Sequence, residues 1–300
     1  MSARAIPAVV PSAVAVLAVL TVVTAVWAAW VDAPVLAAGA AAFDWPRAVV
    51  VAGLYLGAHV LRIGRMLVIL GDSATSVRAV AYAHALTAPV SGLIPLKLGE
   101  VARVVAFGLA SEGTVHGLRA VWIERTFDAA VLAVAGLVAL QVFPQGGAVF
   151  PVTVVALGVL TLTAAAITVL PENVGMAKAW LIRRYTTQWS LTALQVLDEL
   201  GRGLRRSRGL VRRKVATLAL LTMALWGLET AALTLLVGTV DPSTVLAGIL
   251  TVLSDVLRPA QSVGGLAAQL PVHRLVVFAS VNAFAALALA GLALAPSRDR

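Results

Sequence analysis

The sequence predicts an all-α, polytopic integral membrane protein, and three observations carry that reading. Of its 300 residues 60% are apolar and 12% are charged, against roughly 25% charged in a soluble domain. The mean hydropathy is +0.96. The apolar residues fall in long runs that lack the period-2 alternation of a β-barrel strand. The same composition excludes disorder and predicts a single membrane domain over residues 1–300, with no separate soluble catalytic unit. Cysteine is absent, which excludes disulfides, thiolate nucleophiles, Fe–S clusters and Cys-based zinc sites.

The elements follow in chain order. Ala8–Trp30 is long enough to span, and Trp27 and Trp30 suit an interface belt; a cleaved leader ending near Ala28 and Ala29 is the competing reading. Ala48–Leu61 is short. It must borrow Ile63–Leu70 or lean on snorkelling Arg62 and Arg65. Ala120–Val142 and Val149–Leu170 are separated by a Pro-Gln-Gly-Gly turn, while Val215–Val237 and Val272–Ala295 complete about six spans.

Charge orders these spans. The net charge of +9 is local, because residues 171–214 hold ten basic and three acidic side chains. No aromatic-interleaved basic face accompanies them, so nucleic acid is not the expected partner. By the positive-inside rule this stretch is cytoplasmic, as are Arg62–Arg78 and the tail with Arg298 and Arg300. Val31–Pro46, with two acids and no base, lies outside. The N- and C-termini are therefore expected in the cytoplasm and the protein in the cytoplasmic membrane.

Parity then constrains the remainder. Residues 78 and 119 are both inside, and Pro242 and Pro271 both outside, so each intervening stretch crosses an even number of times or not at all. Each is also interrupted: the first at Pro89, Pro95 and Gly99, the second at Pro259, Gly264 and Gly265. Proline ends helices and glycine permits close backbone approach. Both stretches read as re-entrant hairpins entering from opposite sides, with two short tilted helices as the alternative for residues 79–110. Such backbone survives at membrane depth only when buried in protein or lining a wet cavity. Residues 48–142 and 215–295 then resemble an inverted-topology pair around two broken segments, which points to a substrate site.

A charge at mid-membrane costs about 2.5–3.5 kcal/mol on insertion scales, so each needs a reason. Lys97, Glu100 and Arg103 adjoin the first hairpin, and Glu100 and Arg103 are spaced to pair on one helical face. Glu124 and Asp128 share a face, with Arg125 about 100° round the helix. Mixed signs are partly self-neutralising, yet a net-positive centre forms if the basic members converge. Glu229 stands alone near the middle of Val215–Val237. Arg258 flanks the second hairpin. His59, His84 and His273 share no metal-ligand spacing, so packing or local hydrogen bonding is expected, with no metal and no cofactor. No Gly-x-Ser-x-Gly elbow, DXD-like acidic pair or P-loop is present, which disfavours nucleophilic catalysis and ATP-driven transport. Within residues 171–214, Leu194, Leu197, Leu200 and Leu204 recur at helical spacing beside seven basic residues between Arg202 and Lys214. This is the pattern of a cytoplasmic amphipathic helix on anionic lipid, or of a docking site for a cytoplasmic enzyme.

Pro95-Leu-Lys-Leu-Gly99-Glu100-Val-Ala-Arg103 and Arg119-Ala-Val-Trp-Ile-Glu124-Arg125-Thr-Phe-Asp128 resemble the signatures of the lysylphosphatidylglycerol synthase transmembrane (flippase-like) family. Pro259…Gly264-Gly265 is similar to that family's second motif, although Leu266-Ala267-Ala268-Gln269 replaces its usual glycine and acid. The resemblance implies a membrane domain that handles lipid-linked head groups. The leading expectation is a lipid flippase acting on membrane lipids. Lys97, Arg103, Arg125 and Arg258 would receive a phosphate-bearing head group, with Glu100, Glu124 and Asp128 orienting them or receiving an amine on a zwitterionic or aminoacylated lipid, and Glu229 coupling to protons. The alternatives are a membrane-embedded transferase acting on polyprenyl-linked sugar or aminoacyl lipid, or an accessory subunit.

Overall fold

The computed structural model describes residues 44–93, 98–142, 149–184, 188–237 and 280–286. Helices account for nearly all of them: α1 (Trp45–Leu70), α2 (Val77–Leu93), α3 (Leu98–Leu109), α4 (Thr114–Val142), α5 (Val149–Thr168), α6 (Leu170–Arg184) and α7 (Gln188–Val237), with residues 280–286 also helical. No strand occurs among the described residues, so the all-α class holds. Two described helices are long and apolar enough to cross a membrane, Pro46–Ser73 and Leu191–Leu235. Thr153–Thr168 with Leu170–Arg183, bent by 60°, makes a third if counted as one span. Ala8–Trp30, the second hairpin and all of Val272–Ala295 except 280–286 lie outside the described residues, and with them the inverted repeat.

α1 shows how the short second run becomes a full helix. Asp44 caps it by accepting from the Arg47 backbone N–H at 3.2 Å, and Pro46 occupies the first turn, where a missing N–H costs nothing. The helix continues through Arg62 and Arg65 for 26 residues and stops at Gly71, whose φ of 55° ends it. The run thus borrows Ile63–Leu70, and Arg65 stays inside the protein with 1% of its side chain exposed. Snorkelling does not describe it.

The first proline- and glycine-interrupted stretch forms a helical hairpin. α2 has 17 residues and α3 has 12, about 25 Å and 18 Å at 1.5 Å per residue, both short of the ~30 Å hydrocarbon core. Its two ends are tied together, because the Thr75 backbone N–H donates to the Ala110 carbonyl at 3.0 Å and Ala74 pairs with Ser111. Pro89 does not end α2, which runs on to Leu93, although a proline there forfeits an i→i−4 bond and its ring crowds the preceding turn. The break itself, with Pro95 and Lys97, lies outside the described residues.

The hairpin is wedged into the bundle. Val80 and Ala83 of α2, Phe107 of α3 and Ala110 just after it share one core with Met66 and Ile69 of α1, Val121 and Ile123 of α4 and Leu218 of α7. Glycine allows the closest approach: a Cβ on Gly117 would meet the Val104 carbonyl and the Gly108 backbone, and one on Gly108 would lie 2.8 Å from Thr114 Cα. Higher along α1, His59 Nδ1 and His84 Nε2 are 3.1 Å apart, joining α1 to α2, and Phe284 stacks on His59. The polarity of the whole is inside-out. Val134, Val138, Leu162 and Leu220 are exposed, while Arg65, Arg103, Glu124 and Thr222 are buried. That distribution belongs to a solvent of acyl chains.

Residues 171–214 form no loose loop but an α6–α7 helical pair. Lys178 of α6 and Arg202 of α7 both pair with Asp198, and Gly201 sits against Val174. Within the leucine row Leu204 is buried and Leu194 and Leu197 are half-buried. α7 then runs unbroken for 50 residues, about 75 Å. This exceeds the ~40–45 Å of a whole bilayer, so its basic part must project beyond it.

The Gly117 contact yields a direct test. Gly117→Ala is expected to lower the thermal midpoint in detergent, at a cost of about 1–3 kcal/mol, because the added methyl meets backbone that cannot repack. Gly64→Ala, where the added atom finds open space, is expected to leave the midpoint unchanged or raise it.

Candidate functional site

Helical spacing and the hairpin together gather the charges. On α4, Glu124 and Asp128 lie one turn apart; on α3, Glu100 and Arg103 do the same, and the hairpin lays α3 along α4. α1 brings Arg65 into the gap. Arg65 Nη1 donates to Asp128 Oδ1 at 2.6 Å, and Nη2 donates to Glu124 Oε1 at 2.7 Å and Asp128 Oδ2 at 3.3 Å. Arg103 donates to the other oxygen of Glu124 and sits 3.5 Å from Glu100 Oε2. Arg125 donates to Glu100 Oε1 and, at 3.1 Å, to Asp128 Oδ2.

These six side chains close a ring. Its order is Arg65, Glu124, Arg103, Glu100, Arg125, Asp128 and back to Arg65, with signs alternating throughout. Every carboxylate accepts from two guanidiniums and every guanidinium donates to two carboxylates. The planar, forked geometry of arginine suits this bridging role, which a lysine point charge cannot fill. Three positive and three negative groups sum to zero, so the described part of the site is neutral and not the net-positive centre that converging bases would make.

Burial grades round the ring. Arg65 and Glu124 are each 1% exposed and Arg103 is 5%, whereas Glu100 is 29% and Arg125 is 44%. The deep side is buttressed: Arg65 Nη1 also donates to Thr222 on α7 at 3.2 Å, and the Arg103 guanidinium lies 5.8 Å from the Phe107 ring centre. Arg65 Nε is buried with no partner among the described residues. The ring therefore has a sealed side and an open edge, and the open edge is the Arg125–Glu100 link. Along α4, Glu124 lies ten residues from Thr114, about 15 Å into the helix.

Five of the expected site residues thus come together: Glu100, Arg103, Glu124, Arg125 and Asp128. Glu229 does not join them and is not alone, since Arg62 of α1 donates to it across the α1–α7 interface. Gly99 is buried at the start of α3, and Pro89 is within α2. Lys97, Pro95, Arg258, Pro259, Gly264 and Gly265 lie outside the described residues. Arg65 is the member that sequence reasoning missed. Its signal was the pair Arg62 and Arg65 ending an apolar run, which reads equally well as an interfacial anchor. Among the described residues no three His, Asp or Glu side chains are grouped to hold a metal ion.

A closed ring is sensitive to the loss of a single charge. Glu124→Gln leaves Arg65 and Arg103 buried and short of one negative partner, and is expected to cost about 3–5 kcal/mol of stability, read as a large drop in thermal midpoint. Thr222→Val removes a neutral hydroxyl that accepts from Arg65 and donates to the Leu218 carbonyl at 2.7 Å, and is expected to cost about 1–2 kcal/mol. An E124Q protein as heat-stable as the parent would refute the closed ring.

Comparison with known proteins bears on what surrounds this ring. No curated protein and no solved structure matches the chain. One family model does, described as the lysylphosphatidylglycerol synthase TM region, and it matches residues 9–297. That match takes in every ring residue and nearly the full length, so the chain belongs to the lysylphosphatidylglycerol synthase transmembrane family.

Proposed function

We propose that the protein is a translocator of phosphate-bearing lipid head groups, and that the open edge of the charge ring receives the head group. The observation that carries the reading is six ionised side chains held at helix depth in a protein whose outer surface is apolar. Burying ions costs about several kcal/mol each even after relaxation. A bundle that needed only stability would be served as well by apolar packing there. Ionisable groups inside membrane segments mark substrate paths more often than scaffolding.

The hairpin supplies a second support. α2 and α3 are too short to cross, and they deliver Glu100 and Arg103 to the ring from a broken segment, the architecture in which secondary transporters bind substrate. With the Ala74–Ser111 end of the bundle facing the cytoplasm, as the positive-inside rule expects, the ring lies in the inner half of the bilayer. A head group could reach Arg125 from the inner leaflet while its acyl chains stay among lipid.

The transferase reading is weaker. A general base needs a carboxylate free to take a proton, and all three acids of the ring already accept from two guanidiniums each. Glu229 is likewise engaged, by Arg62.

Reconstitution in sealed vesicles tests the proposal. With acyl-chain-labelled phospholipid and an impermeant quencher, the protein should expose the inner-leaflet label that protein-free vesicles protect. Arg125→Lys keeps the charge but cannot bridge Glu100 and Asp128 as a fork, and should slow translocation about tenfold, the equivalent of one charge-assisted hydrogen bond. Full activity in both Arg103→Ala and Arg125→Ala, at normal expression, would remove the ring from the transport path.

A further inference from the structure

We infer that the ring selects head groups carrying one phosphate and one ammonium, in balance, over head groups with a net charge of either sign. The inference rests on the translocator reading and narrows its substrate class. Because the ring is closed, no arginine is available until a link opens. The Arg125–Glu100 link is the one to open: both partners are the most exposed of the six, and Arg125 keeps its bond to Asp128 at 3.1 Å when Glu100 lets go. Opening it uncovers one guanidinium and one carboxylate together.

The ligand must then satisfy both. A head group with a phosphate alone would occupy Arg125 and leave Glu100 with only Arg103, 3.5 Å away. A carboxylate held at helix depth with one of its two counter-ions removed is less stable. A head group with a surplus ammonium would leave that ammonium unpaired instead. One phosphate on Arg125 and one ammonium on Glu100 restore the alternation of signs with no charge left over.

The Arg62–Glu229 pair repeats the pattern. Arg62 is three residues from Arg65 on α1, about 4.5 Å along the helix, and its guanidinium binds a single carboxylate from α7. Arg62 is 33% exposed and Glu229 21%, so this link too is part-open and neutral. Two successive levels of α1 therefore offer the same chemistry, one cation beside one anion. A balanced head group could pass from one level to the next without either level changing its net charge.

The experiment compares two probes in the same vesicles: acyl-chain-labelled phosphatidylethanolamine, with one phosphate and one ammonium, and phosphatidylglycerol, with the phosphate alone. The intact chain should translocate the ethanolamine lipid several-fold faster. Glu100→Gln gives the ring one surplus positive charge and should move the ratio toward phosphatidylglycerol. Arg125→Gln gives it one surplus negative charge and should move the ratio the other way, which keeps a signed outcome if one variant does not fold. Equal rates for the two lipids in the intact chain, or a ratio that neither variant shifts, would overturn the inference. If neither lipid moves at all, the translocator reading fails instead. Native mass spectrometry of the purified chain in an equimolar mixture of the two lipids then decides selectivity by itself, with preferential retention of the ethanolamine lipid supporting it and equal retention refuting it.

Discussion

The constraint on which the structure depends is that no ion in the bundle interior can go without a counter-ion. In a medium of low dielectric a lone guanidinium or carboxylate is disfavoured far beyond what packing returns, whereas an alternating set cancels over a few ångströms. Arg65, Glu124 and Arg103 occupy the driest positions, and each faces two groups of opposite sign. Burial varies around the ring but pairing does not: each member keeps two partners of opposite sign, as that constraint requires.

The helical arrangement answers to this requirement. α3 must lie on α4 for Arg103 to reach Glu124, and the backbone contacts of Gly108 and Gly117 permit that approach. α1 must run past Leu61 for Arg65 to enter at all, and Gly71 ends it less than two turns after Arg65. α7 contributes Thr222 to the ring and Glu229 to Arg62, binding the longest helix to α1 at two levels. The hairpin is held where its ends meet, at the Ala74–Ser111 bridge, and again through His59 and His84. The inner face of this short element, with Val80, Ala83 and Phe107, is thereby packed into protein, while Val101, Val105 and Leu109 on α3 stay exposed.

The α6–α7 pair stands apart from this economy of charge. Its ion pairs, Lys178 and Arg202 with Asp198, are part-exposed and worth little individually. Arg206 reaches back to His116 at the start of α4 at 3.1 Å. Burial and the neighbouring Arg119 guanidinium hold the His116 imidazole below its usual value, which suits it to accept from Arg206. The basic projection is thus anchored to the helix that carries Glu124, Arg125 and Asp128.

Composition and run length alone determined that the chain is helical and membrane-embedded, since 60% apolar residues in uninterrupted runs leave no other way to satisfy the backbone. Spacing alone paired Glu100 with Arg103 and put Glu124 with Asp128 on one face, because i+3 and i+4 contacts are set by helix geometry. Long-range partners were beyond its reach. Arg65 and Arg62 ended an apolar run in a way that suited interfacial anchoring, and only packing showed one buried against α4 and the other bound to Glu229. Arg125, placed round the helix from its neighbours, reached Glu100 only because α3 folds back along α4. Periodicity encodes which side chains share a face; which faces meet depends on contacts between residues as far apart in the chain as Arg62 and Glu229 or His59 and Phe284, and that was decided by the tertiary structure.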